Sequence, residues 1–205
     1  MADLLLDEQS FPATPAAGKD VIFCDSVISN LAVKDDGGLC HTYTLRSAIA
    51  AQGAGFASDT YVTNSGILIP SFGFQVGMGF YWRLSASKTA AGVAGPIYTF
   101  RLGSGQAVGD TSRLALTGPA QTAAADLGIL HLMLTVRSVG AAGVLQGTAN
   151  WAHNLGGATG FGGTVEGTSA GFDMTTAPGL YLGLSINGGS LAAWTITQVH
   201  AELFS

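Results

Sequence analysis

Hydrophobic and polar positions alternate through most of this chain. Leu180, Leu182, Leu184 and Ile186 alternate with Tyr181, Gly183, Ser185 and Asn187. A period of two places one set on a single face of a strand. Asn187-Gly188-Gly189-Ser190 follows, with residues that tolerate positive φ, and Trp194-Thr195-Ile196-Thr197-Gln198-Val199 resumes β-branched and aromatic composition. From Leu180 to Leu203 the pattern predicts one antiparallel hairpin with a Leu/Ile core face capped by Trp194. The apolar phase slips between Ile196 and Val199, which predicts a bulge near Thr197.

The same alternation recurs upstream. Phe80, Trp82, Leu84 and Ala86 share one face, as do Tyr98, Phe100 and Leu102. Leu130, Leu132, Leu134 and Val136 form another apolar face, backed by Ile129, His131, Met133, Thr135 and Arg137. That mixed side fits a strand whose apolar face enters a core while His131 and Met133 meet another subunit. Val21–Cys24, Asn30–Lys34 and Leu39–Tyr43 are strand-like around the turn residues Asp35-Asp36-Gly37-Gly38. Arg46 to Ser58 is rich in Ala and Gly and reads as a linker or a short helix, and Pro119 to Asp126 as the one helical turn. Gly156 to Gly171 reads as a glycine-dense loop or broken strand pair. Roughly eight strands after residue 59, at these turn spacings, predict an all-β fold, a jelly-roll β-sandwich. The expected organisation is an N-terminal arm and β-hairpin module over residues 1–50 and the jelly roll over 51–205.

The arm carries Leu4, Leu5 and Leu6 between Asp3 and Asp7, then Phe11 ahead of Pro12 and Pro15. The prolines favour an extended arm over a sheet element. Leu4, Leu5, Leu6 and Phe11 are then anchors for a neighbouring molecule, since a solvated tail has no need of them.

Composition sharpens this expectation. Charged residues are 10% and hydrophobic residues 47% of the chain, with 30 glycines; about 25% charged is usual for a soluble domain. Such a surface is either polar and uncharged or covered by sister subunits in a larger assembly. The net charge is −5 and no basic run occurs, which argues against nucleic-acid binding. No apolar run reaches the ~18 residues of a membrane span. Met1-Ala2-Asp3 does not open a signal peptide. Cys24 and Cys40 are expected to be reduced thiols in a chain made in cytoplasm, with a disulfide between them as the alternative.

Chemistry is sparse. Gly167-Thr168-Ser169-Ala170-Gly171 matches the G-x-S-x-G nucleophile elbow, but Phe172 to Pro178 is no helix and Asp173 lies only four residues past Ser169. His41, His131, His153 and His200 have no metal-ligand spacing, and Asp35-Asp36 lacks the further ligands of a calcium loop. No paired-carboxylate or phosphate-loop signature occurs. The expectation is a protein that is not an enzyme, with no catalytic residue, cofactor or metal.

Two groups of segments carry a resemblance. Asp7-Glu8-Gln9, Pro12 to Lys19 and Val33-Lys34-Asp35-Asp36-Gly37-Gly38 resemble an N-terminal module of tailed-bacteriophage virion proteins. Gln121 to Asp126, Thr135 to Gly140 and Ala193 to Thr197 are similar to a phage virion jelly roll of the trimeric, tumour-necrosis-factor-like kind. The resemblance implies a homotrimeric capsid decoration or cement protein on the virion surface, assembled in the host cytoplasm. Its partners would be its own copies, the major capsid protein and neighbouring trimers, held by non-covalent contacts. The alternative is a receptor-binding tip of a tail or head fibre, recognising host glycan through aromatics such as Tyr61, Trp151 or Tyr181.

Overall fold

The computed structural model describes residues 8–9, 11–48, 51–89, 93–153, 163–189 and 194–205. Leu4, Leu5 and Leu6 lie outside the described residues. The chain opens with β1 (Glu8–Gln9), β2 (Val21–Asp25), β3 (Asn30–Lys34), β4 (Cys40–Ala48) and β5 (Gln52–Gly55). Two short pieces, β6 (Thr60–Tyr61) and β7 (Ile67–Leu68), precede β8 (Gly79–Lys88), β9 (Ile97–Gly103) and β10 (Thr111–Thr117). Then come β11 (Asp126–Ser138), β12 (Val144–His153), β13 (Val165–Thr168), β14 (Tyr181–Asn187) and β15 (Trp194–Phe204). No helix occurs among the described residues.

These strands form two sheets. The larger runs β1-β2-β3-β4-β15-β8-β11-β12-β13, with β5 also on β15; the smaller runs β10-β9-β14-β6, with β7 also on β14. Strands pair from the outside of the chain inward: β4 with β15, β6 and β7 with β14, β8 with β11, and β9 with β10. A long hairpin wrapped around itself gives that nesting, and the fold is a jelly-roll β-sandwich. The β12–β13 pair widens one edge of the large sheet, and the β2–β3 hairpin widens the other.

The core lies between the sheets and is built by the predicted faces. Phe80, Trp82 and Leu84 of β8, Leu130, Leu132 and Leu134 of β11, and Val199, Ala201 and Leu203 of β15 are buried from the large sheet. Tyr98, Phe100, Leu102, Leu182, Leu184 and Ile186 oppose them from the small sheet. Trp82 spans the gap, with its ring 5.4 Å from that of Phe100 and its Nε1 donating to the Ser65 carbonyl at 2.7 Å. Trp151 donates to the Tyr98 hydroxyl at 2.6 Å and meets Trp194 edge-on at 5.5 Å. The polar edges of these large rings are thereby satisfied inside the apolar layer.

Several expectations are corrected. The stretch from Leu180 to Leu203 is not a hairpin: β14 belongs to the small sheet and β15 to the large one, so the chain crosses the core between them. Both strands still bury the predicted residues, because each faces the same core from opposite sides. The bulge near Thr197 is present as a register shift between Ile196 and Gln198. Pro119 to Asp126 is not helical; Gln121 is buried there and donates to the Ala94 and Gly188 carbonyls at 3.0 and 2.9 Å. Arg46 to Ser58 is neither linker nor helix, since β4 and β5 occupy much of it. The arm includes a sheet element, because β1 pairs in parallel with β2. Phe11 packs on its own chain, 6.3 Å from the Phe72 ring and beneath the Lys34 ammonium at 3.6 Å. Its ring is 43% exposed, so this anchor is only part-covered.

Candidate functional site: the outer face of the large sheet

The alternation that buries Leu130, Leu132 and Leu134 turns Leu127, Ile129, His131 and Met133 to the other side of β11. Register carries this outer face across the sheet. Met133 lies opposite Tyr81, and Tyr81 opposite Glu202 of β15, which lies opposite Leu45 of β4. One row along, His131 lies opposite Arg83, and Arg83 opposite His200. On the other side Phe204 lies opposite Tyr43. The β3–β4 register then places Leu31 beside Tyr43, and Ile22 and Val33 beside His41.

Much of this face is apolar and uncovered. Leu127, Met133, Phe204, Tyr43, Leu45, Leu31 and Ile22 are between 44% and 63% exposed. Scattered apolar side chains are ordinary on a surface, but a set on one face of five strands of a single sheet is not. Phe204 folds its ring over Gly79, where any side chain would collide with it. A shallow groove of about 370 Å³ closes one end of the face, between Leu127, Ile129, Ala152 and Thr197.

The polar groups on the face are mostly engaged with one another. The Tyr81 hydroxyl bonds to His131 Nδ1, and His200 Nε2 meets Glu202 Oε1 at 2.5 Å. Burial, with the Arg83 charge, holds the His131 imidazole below its ordinary value, and burial raises the Tyr81 phenol. A phenol that keeps its proton beside a neutral imidazole suits O–H donation to Nδ1. The face therefore presents apolar surface with few unmatched charges.

The sequence-predicted site residues divide. His131 and Met133 sit together on this face, while Phe11 lies on the N-terminal hairpin. Ile22, Leu31, Tyr43 and Leu45 were missed as parts of the same surface. Their signal was the period-two pattern of the N-terminal strands, which gives faces but not their alignment with β15. Of the aromatics raised for glycan contact, Trp151 is buried in the core, Tyr181 is part-buried beside Leu68, and Tyr61 lines a cleft on the small sheet.

The other motifs serve structure. Ser169 is buried, its hydroxyl accepts from the Leu145 N–H at 2.9 Å, and its own N–H donates to the Leu145 carbonyl at 2.9 Å. Asp173 caps the adjacent turn by accepting from Thr175. Asp35 accepts from the Leu39 N–H at 2.8 Å and closes the β3–β4 turn with Gly38 at φ 86°. Cys24 and Cys40 are free thiols. No group of three His, Cys, Asp or Glu side chains suited to a metal ion occurs among the described residues.

No family model matches the chain, and no curated protein sequence matches it. Among solved structures it is similar to peanut lectin with a 9mer peptide, at 10% identity and a TM-score of 0.36. The match covers 79% of this chain and 97% of the lectin chain.

Proposed function

We propose that the protein is a structural virion component, a homotrimeric decoration or cement protein of a tailed-phage capsid. The observation that carries this reading is the outer face of the large sheet, where five strands carry exposed apolar side chains. The low charge of the chain supports it, because such a surface gains by being covered. Burying apolar area contributes roughly 25 cal/mol per Å² before the costs of association. The number of copies and the capsid partner rest on the resemblance of the N-terminal and jelly-roll segments to phage virion proteins.

In this reading the large sheets of three copies pack around one axis. The N-terminal arm, residues 1–19, ties the trimer to capsid subunits. Many weak contacts repeated over a shell add up by avidity. Two measurements test it. The native mass in solution is expected at three chains; a monomer at micromolar concentration overturns the trimer. Deleting residues 1–19 is expected to leave the trimer folded and to abolish particle decoration, and a truncated trimer that still decorates capsids overturns the role of the arm.

A further inference from the structure

The small sheet carries a cleft of about 530 Å³ on the other side of the sandwich, within the range of small-molecule sites. One wall is the segment from Asp59 to Asn64 and the other is the β9–β10 loop at Gln106 and Val108. Both walls are held from beneath. Arg101 projects from the outer face of β9, donates from Nε to Ser185 Oγ at 2.7 Å and from Nη1 to the Asp110 carbonyl at 2.8 Å, and pairs through Nη2 with Asp59. Asp110 accepts from the Gly105 and Ala107 N–H groups at 3.0 and 3.2 Å, which fixes the loop. Gln52 braces the opposite wall, donating to the Tyr61 carbonyl and accepting from the Thr63 N–H, each at 2.8 Å.

The two lips share an unusual backbone. Asn64 and Gln106 have φ of 63° and 48°, in the left-handed region that glycine normally fills. Asn64 lies in the turn closed by the Ser65 N–H on the Val62 carbonyl, and Gln106 is held by its packing. A Cβ on Gly66 would come within 2.6 Å of Gln106 Oε1 and 3.1 Å of the Tyr61 hydroxyl, so the Gln106 side chain is packed inward over that glycine. Left-handed non-glycine residues persist only where the structure enforces them, and they gather at ligand sites.

The chemistry of the lining narrows the ligand. The Arg101–Asp59 pair cancels its own charge and the Asp110 carboxylate is taken up by the loop N–H groups, so the cleft offers no free cation to an anionic ligand. Carboxamides at Asn64 and Gln106 and hydroxyls at Thr60 and Thr63 offer both donors and acceptors. Val108, 46% exposed, adds an apolar contact beside them. Hydroxyls fanned around a C–H face meet all of these groups, whereas an apolar ligand would strip the amides of water without return. We propose that this cleft is a binding site for one neutral saccharide unit. It lies away from the outer face of the large sheet and does not depend on assembly through that face.

Saturation-transfer NMR on the full chain tests this directly. The probes are free glucose, galactose, mannose, N-acetylglucosamine and N-acetylgalactosamine, with glucose 6-phosphate as the charged comparison. At least one neutral sugar is expected to show transfer. Gln106→Ala and Asn64→Ala are each expected to weaken that signal roughly tenfold in affinity and to retain the fold by circular dichroism, with a melting temperature lowered by the left-handed backbone at each site. Thr197→Ala, on the far sheet, is expected to leave the signal unchanged. The proposal fails if none of the neutral sugars binds, if glucose 6-phosphate alone binds, or if the Asn64→Ala/Gln106→Ala double variant binds as well as the original chain.

Discussion

Ser71 donates twice to Asp25, through its N–H at 3.0 Å and its hydroxyl at 2.5 Å. Asp25 is wholly buried and also accepts from the Val27 and Ile28 N–H groups at 2.8 and 3.1 Å. One carboxylate therefore ties the β2–β3 turn to the segment that follows β7. Replacing it by alanine leaves several donors without an acceptor, at a cost of about 1–3 kcal/mol. Asp25→Ala is expected to lower the melting temperature and to raise hydrogen exchange in residues 21–34 before residues 97–117. Uniform exchange across both regions would show that the N-terminal hairpin is held by other means.

Leu132 and Met133 are neighbours in the chain with opposite fates, one wholly buried and one 44% exposed. A charge at Leu132 enters the core without a partner, so Leu132→Asp is expected to yield no soluble folded protein. Met133→Asp keeps the core intact and places three like charges close together in the proposed trimer. It is expected to retain the fold by circular dichroism and to shift the native mass to a single chain. A trimeric Met133→Asp protein would move the contact to another surface.

His131 makes stability depend on pH. Its imidazole is held below the ordinary value by burial and by Arg83, so the unfolded chain takes up a proton first. Its contribution is full above about pH 6.5, the unperturbed histidine value, and is lost as the pH falls toward the depressed one. Tyr81 and Arg83 face it directly from β8, and His200 with Glu202 lies one strand further on, in β15. The melting temperature is expected to fall between neutral and mildly acidic solution, and His131→Gln to flatten that fall. An unchanged slope in the variant would show that His131 is not the group responsible.

Cys40 is buried on the inner side of the N-terminal hairpin, and burial pushes its thiol up to about 11. Thiolate is the reactive form, so this cysteine is nearly inert at neutral pH. Cys24 is part-exposed on the opposite side of that hairpin. Maleimide treatment of the native protein is expected to add one label, at Cys24, and denaturant to expose the second site. Labelling of Cys40 at the same rate as Cys24 in native protein would mean that the hairpin opens.

The sequence made faces legible and left partners hidden. Leu130 to Val136, Phe80 to Ala86 and Tyr98 to Leu102 bury the sides their spacing predicts, because alternation follows directly from strand geometry. Alternation carries no mark of which sheet a strand joins. Successive strands on opposite sheets bury the same core, so β14 and β15 read as a hairpin although they face each other across it. The slip at Thr197 was readable because a bulge inverts the facing of every residue beyond it. Gln106 left no signal, since it is packed over the distant Gly66, whereas Asn64 sits in the Val62–Ser65 turn and is a residue type that adopts the left-handed region readily. Ile22, Leu31 and Leu45 showed their exposure only once β4 was seen to run into the large sheet.

The central place of β15 sets a clock on biosynthesis. It is hydrogen-bonded to β8 on one side and to β4 and β5 on the other, yet it is made after every other strand. A ribosome-bound chain has two halves of a sheet with a gap between them until Phe204 emerges. Each nascent polypeptide therefore lacks a continuous outer face until β15 has filled that gap.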